Sequence, residues 1–132
     1  MWYNKCMNKE KLIELAFEAQ KNSYSPYSNF AVGACLLTKS GKVFCGTNIE
    51  NASYPAGICA ERVAVCKAIS EGEKKFEAIA ITCSGNVYPY PCGICRQFLS
   101  EFGNFKVIVA KSKDECKEFM LSDLLPSAFE LK

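Results

Sequence analysis

Leu12, Ile13, Leu15, Ala16 and Ala19 recur at three- and four-residue spacing in "NKEKLIELAFEAQKNS" (8–23) and predict an amphipathic helix. "YSPYSN" breaks that pattern, and "FAVGACLLTKSGKVFCGTNIEN" (30–51) then reads as two strands joined by a turn at Ser40-Gly41. After a "YPAG" loop, "CAERVAVCKAISEG" (59–72) reads as a second helix closed by Gly72. "FEAIAITCS" (76–84) is a strand and "GNVYPYP" a loop. "CGICRQFLSEFG" (92–103) is a third helix, with Pro91 ahead of its first turn and Gly103 behind its last. "FKVIVAK" (105–111) is a strand, and the tail is expected to add a short strand near Glu118–Met120 and a helical turn at "LSDLLP". There is no internal repeat and no linker.

Strands separated by helices require crossover connections, so this order predicts an α/β sheet covered on both faces. The helices at 59–72 and 92–103 each follow a strand by a loop, which places their N-termini on one edge of that sheet.

A length of 132 residues suits one domain. Residues 1–6, or 1–7 counting Met7, are expected to be a loose N-terminal tail, with Met7 an alternative start. Half the residues are apolar and the formal net charge is +2, too weak a field to hold a nucleic-acid backbone. The apolar runs are too short to cross a membrane. "MWYNKCMNKEKLIELAF" carries charges where an export leader would be apolar, so a cytoplasmic location is expected.

Nine cysteines is a high and odd count for a chain without an export signal, which argues against a disulfide framework. Cys35, Cys45, Cys66, Cys83 and Cys116 sit in apolar or helical contexts and read as core or surface filler. Cys92 and Cys95 form C-x-x-C at a helix N-terminus, and Cys59 stands at another. Helix N-termini favour thiolate over thiol, so two such termini facing each other make a site for a soft cation. Three sulfur ligands without a fourth point to catalytic zinc with an open position. Cys66 lies about 10 Å along the helix from Cys59, too far for a shared ion; Cys83 remains open as a fourth ligand.

Glu61, two residues after Cys59 in the first helical turn, can reach a water at such a metal and move its protons. Alone, an acid there would merely complement the helix dipole. Arg62, three residues after Cys59, can offset the surplus thiolate charge. Arg96 is a weaker candidate for the same task.

"CAER" followed by "PCGICRQ" resembles the zinc cytidine deaminases, whose signature pairs H/C-x-E with P-C-x-x-C. Cysteine in the first position resembles the small homotetrameric enzymes acting on free nucleosides. The resemblance continues through "YSPYSNFAVGA", "GTNIENASYP", "AISEG" and "LLPSAF". It implies a three-layer α/β/α sandwich around a five-stranded mixed sheet, and zinc held by Cys59, Cys92 and Cys95. It makes Glu61 the proton shuttle, Ala60 a backbone contact to the pyrimidine, and Phe30 an aromatic against the base. Asn48 and Glu50 would hold the ribose 3′-hydroxyl, Arg62 would temper the thiolates, and Phe129 would enter a neighbouring subunit's site. The implied activity is hydrolytic deamination of cytidine and 2′-deoxycytidine in pyrimidine salvage, by a homotetramer sharing sites between subunits.

Three alternatives remain at this point. A blasticidin-S-type deaminase would be expected to lack the intact "NIEN" motif. A zinc-binding interaction module needs a fourth protein ligand and has no use for Glu61. A polynucleotide deaminase fits poorly with the near-neutral composition and with an aromatic C-terminal segment crowding the site.

Overall fold

The computed structural model describes residues 7–131. Helix α1 (Lys9–Gln20) is capped by the Asn8 side chain, which accepts from the Lys11 N–H at 2.8 Å. The hairpin β1 (Val32–Thr38) and β2 (Val43–Thr47) follows. A 3₁₀ turn at Tyr54–Ala56 leads into α2 (Ala60–Ser70), and β3 spans Phe76–Cys83. Helix α3 (Gly93–Ser100), β4 (Lys106–Ala110), β5 (Cys116–Met120) and the single turn α4 (Leu121–Leu124) complete the chain. Gly72 and Gly103, just past α2 and α3, have φ of +87° and +108°, the left-handed geometry that ends a helix.

The sheet order is β2-β1-β3-β4-β5, with β3 and β4 parallel and every other pair antiparallel. This is the expected five-stranded mixed sheet. Alternate residues on each strand feed opposite faces. Leu36, Ile79, Ile81, Val107 and Val109 pack against α2, α3 and Leu121. Cys35, Leu37, Ala78, Ala80 and Ile108 pack under Leu12, Ile13 and Ala16 of α1. Met7 also packs on this second cluster, so it does not belong to a loose tail. Residues 1–6, the rest of that expectation, lie outside the described residues.

Two glycines let helices press onto the sheet. A Cβ at Gly33 would fall 2.0 Å from the Ala16 carbonyl oxygen of α1. A Cβ at Gly46 would fall 2.6 Å from the Ala64 nitrogen and 2.7 Å from the Ala60 oxygen of α2. Because β2, β3 and β4 run in one direction, α2 and α3 both start beyond the carboxyl ends of strands at one sheet edge. That is where α/β sheets form their ligand crevices.

Candidate metal centre and active site

Cys59 and Cys92 are the N-cap residues of α2 and α3, and neither side chain makes a capping hydrogen bond. Both sulfurs are therefore free to face each other, and they stand 3.8 Å apart. Cys95, in the first turn of α3, is fully buried behind them. The three Sγ atoms lie within 4.8 Å of one another and form the cluster of metal-capable side chains among the described residues. Tetrahedral zinc with Zn–S of about 2.3 Å sets neighbouring sulfurs about 3.8 Å apart, so the donor set and spacing fit the ion. Cys83 is not part of the cluster; its thiol donates to the Gly85 and Val87 carbonyls at 3.5 and 3.4 Å. Cys66 is exposed elsewhere on α2.

Charge is already partitioned among the protein groups. The hydrogen bond from Cys95, aided by Arg62 and Cys92, pulls the Cys59 thiol down to about 5 against its burial. The same bond and burial push Cys95 up. Arg62 Nη2 donates to Cys59 Sγ at 3.7 Å, while its Nε is buried without a partner among the described residues. Arg96 does not share this task. It donates to the Pro91 carbonyl and to the Leu124 carbonyl, both at 2.7 Å, and so ties the entry of α3 to the end of α4.

Glu61 is 4% exposed. Burial, with the neighbouring Cys59 charge, pushes its carboxyl up to about 7. A buried carboxyl with a proton affinity near neutrality is suited to accept and return protons rather than to form an ion pair.

The cluster opens onto a cavity of about 640 Å³. Phe30, Asn48, Glu50, Cys59, Ala60, Glu61, Arg62 and Cys92 all line it, so the structure brings together eight of the ten residues singled out in the sequence. Cys95 sits behind the wall. Phe129 does not line it; the ring is 69% exposed, and its backbone carbonyl accepts from Gln97 Nε2 at 3.0 Å.

Asn48 and Glu50 follow β2 on a segment sewn to both sides. Ile49 and Ile58 exchange backbone hydrogen bonds of 3.0 and 2.9 Å, while Tyr24 bonds Asn48 and Glu50 through their backbones. Asn48 Oδ1 accepts from Ser23 Oγ and the Val32 N–H, and its Nδ2 donates to the Phe30 carbonyl. The Glu50 carboxylate accepts from the Ser28 hydroxyl and from the Tyr27 and Ser28 N–H groups, which holds it below the usual carboxylate range. Asn29, at φ 56°, turns the chain so that Phe30 enters the cavity wall. Sequence reasoning missed Tyr27, Tyr54, Tyr90 and Ile94, all exposed lining residues. The segments of the three tyrosines carry the breaker residues Pro26, Pro55, Pro89 and Pro91, a signal of turns and not of walls, while Ile94 lies in the first turn of α3.

A family model, the cytidine and deoxycytidylate deaminase zinc-binding region, matches residues 7–111. A probable cytidine deaminase of Dictyostelium discoideum is 45% identical over 121 residues, covering 91% of this chain and 82% of that protein. A cytidine deaminase of Halalkalibacterium halodurans is 44% identical over 125 residues, covering 93% and 95%. The crystal structure of cytidine deaminase from Burkholderia pseudomallei is similar with a TM-score of 0.89 at 42% identity, covering 93% of this chain and all of that one. Sequence, fold and thiol cluster agree, and the chain belongs to the cytidine and deoxycytidylate deaminase family.

Proposed function

We propose that this chain deaminates cytidine and 2′-deoxycytidine hydrolytically, giving uridine or 2′-deoxyuridine and ammonia. The observation that carries the reading is a buried carboxyl, Glu61, set beside three clustered thiols at the wall of a cavity of nucleoside scale. When bound by Cys59, Cys92 and Cys95, a zinc ion supplies Lewis-acid activation of the attacking water.

Glu61 accepts a proton from that water and delivers it to N3 of the pyrimidine, which makes C4 electrophilic. Oxygen adds at C4. Glu61 then takes the remaining hydroxyl proton and passes it to the exocyclic amino nitrogen, so that the C4–N bond breaks, ammonia leaves and the C4 carbonyl forms. One carboxyl serves both transfers because burial has moved its proton affinity toward neutrality. The backbone of Ala60, in the first turn of α2, meets the pyrimidine, and Phe30 packs on the base. Asn48 keeps one N–H and Glu50 keeps acceptor capacity beyond the bonds described above, a combination that recognises one hydroxyl, the ribose 3′-OH. Arg62 offsets the thiolate charge.

The whole chain, 1–132, acts as one deaminase domain, placed in the cytoplasm and in pyrimidine salvage; no helix among the described residues is long and apolar enough to cross a membrane. The working unit is a homotetramer, in which Phe129 of one subunit closes a neighbour's site. Tyr54, Ile94 and Phe129 are 76%, 65% and 69% exposed, an apolar collection that supports burial by further copies. The direct test is the ultraviolet assay of purified protein with cytidine. Turnover that stops on chelation and returns with zinc is expected; a zinc-loaded protein without turnover would overturn the reading.

A further inference from the structure

A second pair of thiols stands face to face away from the metal centre. The hairpin register sets Cys35 directly opposite Cys45. The bonds from Thr38 N to Lys42 O and from Asn48 N to Val32 O mark the residue pairs that exchange hydrogen bonds between β1 and β2. Such pairs recur at every second position, so Cys35 and Cys45 form a pair that does not exchange them. Lys67 agrees with this phase: its Nζ donates at 2.5 Å to the Cys45 carbonyl, an acceptor that this phase turns away from β1. At such pairs the Cα atoms are about 4.5 Å apart and the side chains are at their closest. That separation lies within the roughly 4.4–6.8 Å that a disulfide spans.

Both thiols point to the α1 face. Cys35 belongs to the core beneath α1, and Cys45 packs against that core from the edge strand. Cys35 is buried and Cys45 half-buried, so an oxidant reaches Cys45 first. The bond between the two thiols, with Lys67 nearby, draws Cys45 below the ordinary thiol range and pushes Cys35 above it. A partly exposed thiol of thiolate character beside a buried partner is the arrangement of a sensing and a resolving cysteine.

We propose that Cys35 and Cys45 are an oxidisable dithiol, a modification site that takes hydrogen peroxide and closes to a cross-strand disulfide outside the zinc site. The Cys45 thiolate attacks one peroxide oxygen, the O–O bond breaks, and water leaves after protonation, giving a sulfenic acid. Cys35 sulfur attacks the Cys45 sulfur and loses its proton, the S–O bond breaks, and a second water leaves. Each sulfur is oxidised by one electron equivalent and each peroxide oxygen reduced by one. The bond staples β2 to β1 three residues before Asn48, leaving Cys59, Cys92 and Cys95 as thiolates.

The test treats the full-length, zinc-loaded protein with hydrogen peroxide in small molar excess, then alkylates the remaining thiols in denaturant. Lys39 and Lys42 separate the two cysteines, so trypsin leaves them on different peptides joined only by the disulfide. Expected are the loss of two alkylation sites, an intact mass lower by two hydrogens, fragment ions assigning the link to Cys35 and Cys45, and unchanged zinc. Cys45→Ser, or Cys45→Ala if the first folds poorly, should abolish the cross-linked peptide and slow oxidation of Cys35, while Cys66→Ser should do neither. Release of zinc while Cys35 and Cys45 both remain alkylatable would overturn the proposal, as would undiminished oxidation of Cys35 in both Cys45 variants.

Discussion

Asn48→Ala separates a ligand contact from a strut. The Asn48 side chain accepts from Ser23 Oγ at 2.5 Å and from the Val32 N–H at 2.9 Å, and donates to the Phe30 carbonyl at 2.9 Å. It therefore holds the end of α1, the entry of β1 and the residue that faces the cavity. Hydrogen bonds contribute about 0.5–1.5 kcal/mol each net of water, and truncation strands the partners that are partly buried. Three such bonds place the loss of folding stability at about 2–3 kcal/mol, since the more exposed Phe30 carbonyl can take water instead. With a urea slope of roughly 1–3 kcal/mol/M, the unfolding midpoint should fall by about 1–2 M. Steady-state kinetics on cytidine and on 2′,3′-dideoxycytidine supply the second readout. Both should lose kcat/KM, because Phe30 loses its anchor whatever the sugar carries. An unchanged midpoint, with the loss confined to cytidine, would show that Asn48 is a ligand contact only.

Glu61→Gln should keep fold and zinc but lose about 10²–10⁴-fold in kcat, the usual yield of general acid–base work; activity within tenfold of wild type would remove Glu61 from the shuttle. Cys95→Ala should lose stoichiometric zinc by elemental analysis, because the remaining two thiols cannot hold a three-sulfur site; one zinc per chain would contradict this. Glu50→Ala should lower kcat/KM for cytidine and 2′-deoxycytidine by about 10- to 100-fold while sparing 2′,3′-dideoxycytidine, and equal losses on all three would mean that Glu50 does not read the 3′-hydroxyl. Deleting residues 126–132 should keep zinc but shift sedimentation toward smaller species and lower kcat/KM together, whereas a fully active monomer at micromolar concentration would refute the shared site.

Much of this was legible because helix ends carry local chemistry. Pro91, Gly72 and Gly103 punctuate the helices, and the structure starts α2 and α3 one residue after Cys59 and Cys92. The sequence pattern marks a strand only near Glu118–Met120, against the observed Cys116–Met120, because an edge strand with exposed residues at its centre shows little apolar alternation. Arg96 stays a weak candidate in the sequence because its partner is the Leu124 carbonyl, which only tertiary packing brings near. The register of the hairpin was also beyond reach. A two-residue turn at Ser40-Gly41 would pair Cys35 with Gly46, whereas a three-residue loop, with Gly41 at φ +93°, pairs Cys35 with Cys45. One residue of loop length decides whether two thiols meet, and composition does not report it.

The candidate site is assembled from short-range ties more than from its own residues. Ile49 and Ile58 form a two-bond clasp. Asn48 and Glu50 flank one side of it, and Cys59 adjoins the other. The clasp thus sets the spacing between Asn48 and Glu50 on one side and Cys59 on the other through the backbone. From Cys59 the chain enters α2, which is pressed onto β2 at Gly46, where no Cβ would fit. That close approach fixes the height of Cys59, Glu61 and Arg62 above the sheet together. Across the gap, Arg96 fixes the entry of α3, and with it Cys92 and Cys95, by holding the Pro91 carbonyl. Each half of the sulfur cluster is positioned by backbone geometry at a helix start, and the 3.8 Å between Cys59 and Cys92 follows from where the sheet puts those two starts.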